Sequence, residues 1–150
     1  MMIVYKEELL QNAEEQLIAH GCNAQGVMRS GVAAAVRQFW PEAFDVYERQ
    51  DNMYVLAMGS VIYAEARGKI IANCITQQYY GRDNRKYVSY DAVRSCLDTL
   101  NQDMEAENIY SIAMPKIGAG LGGGDWEIIQ QIIKDEFDDA VTVFIYDPKL

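Results

Sequence analysis

The stretch Ile117-Gly118-Ala119-Gly120-Leu121-Gly122-Gly123-Gly124-Asp125-Trp126 constrains this chain more than any other, because five of its ten residues are glycine. An apolar, strand-like run from Tyr110 to Met114 precedes it, and an amphipathic helical pattern from Trp126 to Phe137 follows. Glycine adopts φ > 0 freely and lets bare N–H groups approach a ligand, and a helix start adds unpaired N–H groups of its own. Five glycines cost roughly 2.5–5 kcal/mol of ordering entropy, at about 0.5–1 kcal/mol each. That is a large share of an ordinary stability of ~5–15 kcal/mol. A plain tight turn needs one or two glycines, so five imply that the backbone comes close to something. Strand, glycine loop and helix start therefore read as an anion site.

The loop formally matches the dinucleotide fingerprint, Gly118-x-Gly120-x-x-Gly123, but its context does not. Only 27 residues follow Gly123, enough for one helix and one strand. Asp147 stands near the acidic ribose position of that fingerprint, yet it falls after the last strand. A second junction repeats the logic of the first. Leu17 to Cys22 reads as a strand, a loop with Gly26 follows, and Ser30 reads as the N-cap of a helix running to Trp40. Two anion-binding junctions in one domain fit a diphosphate, or a nucleotide diphosphate sugar, better than a lone phosphate.

The rest of the chain reads as alternating strands and helices. Strands are expected over Met2 to Tyr5, Lys69 to Gln77, Ile109 to Met114 and Ala140 to Tyr146, with two further short ones at Tyr54 to Met58 and Ser60 to Glu65. A long helix is expected over Ser89 to Glu107, with Val93, Leu97, Leu100 and Met104 in register, and Asp125 is expected to cap the helix starting at Trp126. Pro41 is expected to end the first helix. The pattern predicts an α/β layered domain with a mostly parallel sheet, in which ligands sit at the carboxyl ends of strands.

With 150 residues, half of them hydrophobic, the chain is expected to form one domain over residues 1–150. No apolar run approaches ~18 residues, and no signal peptide opens the chain, so no membrane partner is expected. Cys22, Cys74 and Cys96 are odd in number and widely spaced, which argues against a metal site and for a reducing cytoplasm. A net charge of -9 argues against duplex nucleic acid as a partner, while a local nest of N–H groups still admits an anionic small molecule.

At these residues the chain resembles the macrodomains, which bind ADP-ribose, and the resemblance covers nearly its whole length. It is closest to the small bacterial and phage members grouped with the ADP-ribose 1''-phosphate phosphatases and the terminal ADP-ribose glycohydrolases. The segments that carry it are Tyr5 to Leu10, His20 to Asn23, Ser30 to Ala33, Ala72 to Gln77, Tyr90 to Val93 and, most specifically, Met114 to Trp126. The resemblance implies a three-layer α/β/α fold with a central mixed, mostly parallel sheet. It places Glu8 and Leu9 at the adenine end, with Glu8 standing where the family usually has an Asp. Ser30, Gly31 and Val32 would face the diphosphate and distal ribose from one side. Ile117, Gly118, Ala119, Gly120, Leu121, Gly122 and Gly123 would wrap them from the other. Tyr146 would offer adenine an aromatic face, with Phe144 as its rival and a core aromatic as the plainer reading.

His20, the only histidine, and Asn23 would work at the distal ribose as the catalytic pair. A structural histidine and an Asx-turn asparagine are the alternatives. Three residues depart from the hydrolytic patterns of the family: Ala33 and Gly122 stand where an Asp is used, and Gln77 where a Lys is used. Arg82, Arg85 and Lys86 could reach a phosphate or form a solvated charged loop. The function implied is binding of ADP-ribose with hydrolysis of ADP-ribose 1''-phosphate, with neither metal nor cofactor, by a monomer. A non-catalytic reader of free or protein-linked ADP-ribose, and an ADP-ribosyl hydrolase acting on ADP-ribosylated protein, are the alternatives.

Overall fold

The computed structural model describes residues 1–149. Six strands form one sheet: β1 (Met2–Lys6), β2 (Leu17–Asn23), β3 (Val61–Ala66), β4 (Lys69–Gln77), β5 (Ser111–Met114) and β6 (Thr142–Tyr146). Their spatial order is β1-β6-β5-β2-β4-β3. Every neighbouring pair is parallel except β3 with β4, which are antiparallel. The carboxyl ends of β2, β4, β5 and β6 therefore share one edge of the sheet.

The helices are α1 (Gly31–Phe39), α2 (Pro41–Asn52), α3 (Tyr90–Ala106) and α4 (Trp126–Glu136). Strand alternation sends Leu17, Ala19, Ala72 and Cys74 to one face, where Val93, Leu97 and Leu100 of α3 and Ile129 and Ile133 of α4 cover them. Ile18 and Ile71 point the other way, against Val36 of α1 and Trp40 and Ala43 at the start of α2. β4 is buried on both faces, which is why it reads as a nearly unbroken apolar run. The result is the expected three-layer α/β/α arrangement with a mixed, mostly parallel sheet.

Two expectations need correction. Pro41 does not simply stop a helix. It is the first residue of α2, a position where a missing N–H costs nothing. Tyr54 to Met58 is not a strand: the chain leaves α2 through Tyr54 at φ 58, with the Tyr54 side chain almost fully exposed. Only the second of the two short strands forms, as β3. The caps at Ser89 and Asp125 do form, each side chain accepting from a backbone N–H of the first turn.

Candidate functional site

A groove of about 850 Å³ opens along the shared carboxyl edge. Gly21 to Asn23 follow from β2, Thr76 and Gln77 from β4, Pro115 to Gly122 from β5, and Tyr146 to Pro148 from β6. A smaller hollow of about 280 Å³ adjoins it and shares Gly31, Val32, Pro115, Tyr146 and Pro148. That hollow is mostly apolar, closed by Leu9, Leu10 and Val36, with Gln11 its one amide side chain. The groove thus has an apolar end at this hollow and a polar end at Asn23, Thr76, Gln77, Tyr80 and Arg82.

Backbone donors line the middle. Across the groove from the hollow, the N–H groups of Gly118, Gly120, Leu121 and Gly122 meet no acceptor among the described residues. The turn is held instead by Gly124 N–H donating to Gly118 O at 2.9 Å and Gly123 N–H donating to Gly120 O at 3.1 Å. On the facing side, α1 starts at Gly31 with no side-chain cap, so its first N–H groups also point free. Ser30 sits at the N-cap position, but its Oγ accepts from Arg82, at 2.6 Å from Nη2 and 3.2 Å from Nε. The groove thus has two facing sets of unpaired N–H groups, the arrangement that binds phosphates.

The five loop glycines do different jobs. Gly118 and Gly123 have φ near +76° and +71°, where a side chain is strained. A Cβ at Gly122 would lie 2.6 Å from Gly118 O, and one at Gly124 would lie 2.7 Å from Val88, so both are needed for the loop to pack on itself. Gly120 alone would meet nothing within 4 Å. Its bareness serves no contact inside the protein and faces the groove.

The charge at the groove is positive although the chain is acidic. Arg29, Arg82 and Lys116 line it against one carboxylate, Asp147, which Lys116 engages at 3.2 Å. A backbone N–H from Lys149, and then Lys116, hold Asp147 ionised below the usual carboxylate range. Thr76 Oγ1 is buried in the polar end with no partner among the described residues. It lies inward, against Gly21 and the Ile117–Gly118 turn, and not on the groove surface. Among the described residues no cluster of His, Cys, Asp and Glu could hold a metal ion.

The sequence model of the macro domain family matches residues 19–133. The chain belongs to the macro domain family. It is 33% identical over 141 residues to an uncharacterised 17.5 kDa protein of phage T4, covering 90% of this macro domain and 88% of the phage protein. It is 29% identical to the DNA ADP-ribosyl glycohydrolase of Mycobacterium tuberculosis over 98% of its own length, but spans only 42% of that relative. It is also 25% identical to the ADP-ribose 1''-phosphate phosphatase of Scheffersomyces stipitis, covering 86% of this chain and 87% of that one. The solved macrodomain of Mycobacterium tuberculosis DarG superposes with a TM-score of 0.86 at 27% identity, over 99% of both chains.

Within this macro domain, Leu9, Asn23, Ser30, Gly31, Val32, Ile117 to Gly122 and Tyr146 all reach the groove or its hollow. Of the two rivals, Tyr146 and not Phe144 lines the groove and its hollow. Its buried ring sits in the wall while its hydroxyl donates to Glu15 Oε1 at 2.6 Å, and burial, then that carboxylate, push its pKa up. Phe144 lies outside the groove wall, beside Lys6. Three expected residues are displaced. Glu8 is exposed and does not line the groove; Leu9 does. Gly123 lies behind the loop, where its Cβ would strike Arg85 O at 2.3 Å.

His20 is the larger correction. It is fully buried on the α1/α2 face of β2, with Nε2 2.6 Å from Asn73 Oδ1, and does not line the groove. Asn73 in turn donates to Ala43 O at 3.0 Å. Burial lowers the His20 pKa to about 4, against the raising effect of Asn73, so the ring is a neutral core element at pH 7. Asn23 reaches the groove, but its amide shapes the wall. Its Oδ1 accepts from Gln25 N–H and Tyr47 OH, and its Nδ2 donates to Val27 O, all within 2.9 Å. Cys22 also lines the groove, and burial, then Cys96, raise its thiol pKa, leaving no thiolate nucleophile. Of the three basic residues in the β4–α3 loop, only Arg82 reaches the groove; Arg85 pairs with Asp83 and Lys86 lies over Tyr90. Arg29, Thr76 and Lys116 were not singled out as ligand contacts from the sequence, because nothing in their spacing distinguishes them from solvated or strand-end residues.

Proposed function

We propose that this macro domain binds ADP-ribose and hydrolyses its 1''-phosphate ester, giving ADP-ribose and inorganic phosphate. The observation that carries the reading is the pair of facing N–H nests joined to an apolar hollow at one end and a cationic end at the other. Adenine suits the hollow beside Tyr146, where stacking contributes ~1–3 kcal/mol. The diphosphate suits the N–H groups of Gly118 to Gly122 and the α1 start. The distal ribose and its phosphate then reach Arg82, Thr76 and Gln77. A water molecule attacks phosphorus, the ester P–O bond breaks, and the departing sugar oxygen takes a proton from water. The protein contributes electrostatic stabilisation of the phosphoryl oxygens through Arg82 and backbone N–H groups rather than a side-chain nucleophile. Relatives named as phosphatases and glycohydrolases support a hydrolase at this position of the ligand. The three free, buried cysteines suit a reducing compartment such as the cytoplasm.

One observation favours a second reading, a non-catalytic reader of ADP-ribose: the sole histidine is sequestered in the core and no acid free of a salt bridge lines the groove. Incubation with ADP-ribose 1''-phosphate, followed by phosphorus NMR, separates the two. Phosphate release that scales with enzyme and disappears in Gly120→Val supports the phosphatase. Tight ADP-ribose binding by calorimetry with no turnover of this ester, or of ADP-ribosylated DNA or protein, leaves the reader.

A further inference from the structure

The β4–α3 loop crosses the polar end of the groove like a strap. At its root, Tyr87 and Val88 donate their N–H groups to Gly122 O at 2.7 and 3.0 Å, which ties the strap to the glycine loop. Its tip is braced internally, with Tyr87 OH donating to Asp83 Oδ1 at 2.7 Å and Arg85 beside the same carboxylate. Gly81 lies against the Tyr87 hydroxyl, so the strap also packs on itself. From this braced frame Arg82 reaches across to Ser30 Oγ at the start of α1.

That contact is a placeholder in chemical terms. A guanidinium carries five N–H donors in a planar fork suited to two oxygens of one phosphate, and here it spends two of them on one hydroxyl. A neutral sugar hydroxyl has no use for a guanidinium fork, whereas two oxygens of a phosphate monoester satisfy it.

Building on the ADP-ribose reading above, we propose that Arg82 is the specificity determinant for a phosphate monoester on the distal ribose, so that this groove distinguishes phosphorylated ADP-ribose from ADP-ribose itself. Arg82 exchanges Ser30 Oγ for the phosphate when the ester binds. It is a contact to the ligand's terminal group and not to the diphosphate, which the backbone N–H groups hold.

The test is calorimetric titration of wild type, Arg82→Gln and Arg82→Lys with ADP-ribose and with ADP-ribose 1''-phosphate, using a phosphatase inhibitor or short injections to limit turnover. Wild type is expected to prefer the ester. Arg82→Gln should lose roughly 10- to 100-fold for the ester, the range of a charge-assisted hydrogen bond, and under about 3-fold for ADP-ribose. Arg82→Lys should recover part of the loss, since it keeps the charge without the fork. Equal losses on both ligands, or no loss on either, overturn the inference while leaving ADP-ribose binding intact. Wild type that binds neither ligand overturns the ADP-ribose reading itself, and this inference with it. Thermal melts of each variant, expected within a few degrees of wild type, show that the fold is retained.

Discussion

Gly120 and His20 show how far a residue type speaks for itself. Gly120 has no structural reason in the protein to lack a side chain: its φ is outside the left-handed region and a Cβ would touch nothing within 4 Å. Gly120→Val should therefore leave the unfolding midpoint nearly unchanged, within about 1 kcal/mol, while a branched side chain in the phosphate path weakens ADP-ribose binding by roughly 100-fold or more. Parallel urea melts and calorimetry check this, and unchanged affinity would remove the loop from the site. The glycine-rich run was legible in the sequence as a ligand loop, but the division of labour among its glycines was not, because it depends on Val88 and Arg85 packing behind the loop from another part of the chain. The histidine misled for a related reason. A strand-end position beside a phosphate loop looks catalytic, yet strand alternation turns His20 to the opposite face, under α2, which the sequence reading did not include. The pH consequence is specific. Above about pH 6.5 the imidazole is neutral in both folded and unfolded chains and contributes no slope. Between 6.5 and the folded value of about 4, the unfolded chain binds a proton that the folded chain refuses, so stability falls as pH falls, by about 3 kcal/mol across the window. His20→Gln should lose that part of the acid limb. The difference between wild type and variant in urea-unfolding free energy should narrow or reverse from pH 7 to pH 4.5, and phosphate release per folded molecule should persist in the variant.

Elements and loops act in pairs. The strap between β4 and α3 and the loop between β5 and α4 share Gly122 O as a junction, and Gly123 fits against Arg85 O with no space for a methyl group. Gly123→Ala adds both a clash and a strained positive φ, so it should destabilise the protein by roughly 2–3 kcal/mol and weaken ligand binding as well, because the strap shifts with the loop. That joint loss, read by melting and by calorimetry, contrasts with the binding-only loss at Gly120; a Gly123→Ala protein of wild-type stability would show the junction to be slack. At this scale the sequence was clearest where the pattern is long or doubly buried, as in α3 and β4. It was least clear at α2. Trp40, Ala43 and Tyr47 recur at helical spacing and are all buried, but the charged residues between them and the proline at the helix start hid the period. With α2 unrecognised, the exposed segment after it was free to look like a strand, since Tyr54, Val55 and Met58 are all β-formers or apolar.

The whole molecule sets the net field against the local one. Its charge is -9, while the groove carries Arg29, Arg82 and Lys116 against Asp147 alone. An approaching diphosphate feels the distant carboxylates first and the groove cations only near contact. The Debye length is about 30 Å at 0.01 M salt and about 8 Å at 0.15 M, so added salt screens the long-range repulsion before it weakens contacts inside the groove. The association rate constant for ADP-ribose should accordingly rise between ~10 mM and ~150 mM salt, the reverse of steering by a ligand of opposite charge. The dissociation rate should rise more slowly over that range, because the backbone N–H groups are dipoles fixed within the site and partly shielded from solvent ions. Stopped-flow measurement with a fluorescent ADP-ribose analogue across this salt series checks both rates. An association rate that falls steadily from the lowest salt upward would mean that the groove cations, and not the acidic exterior, govern the approach.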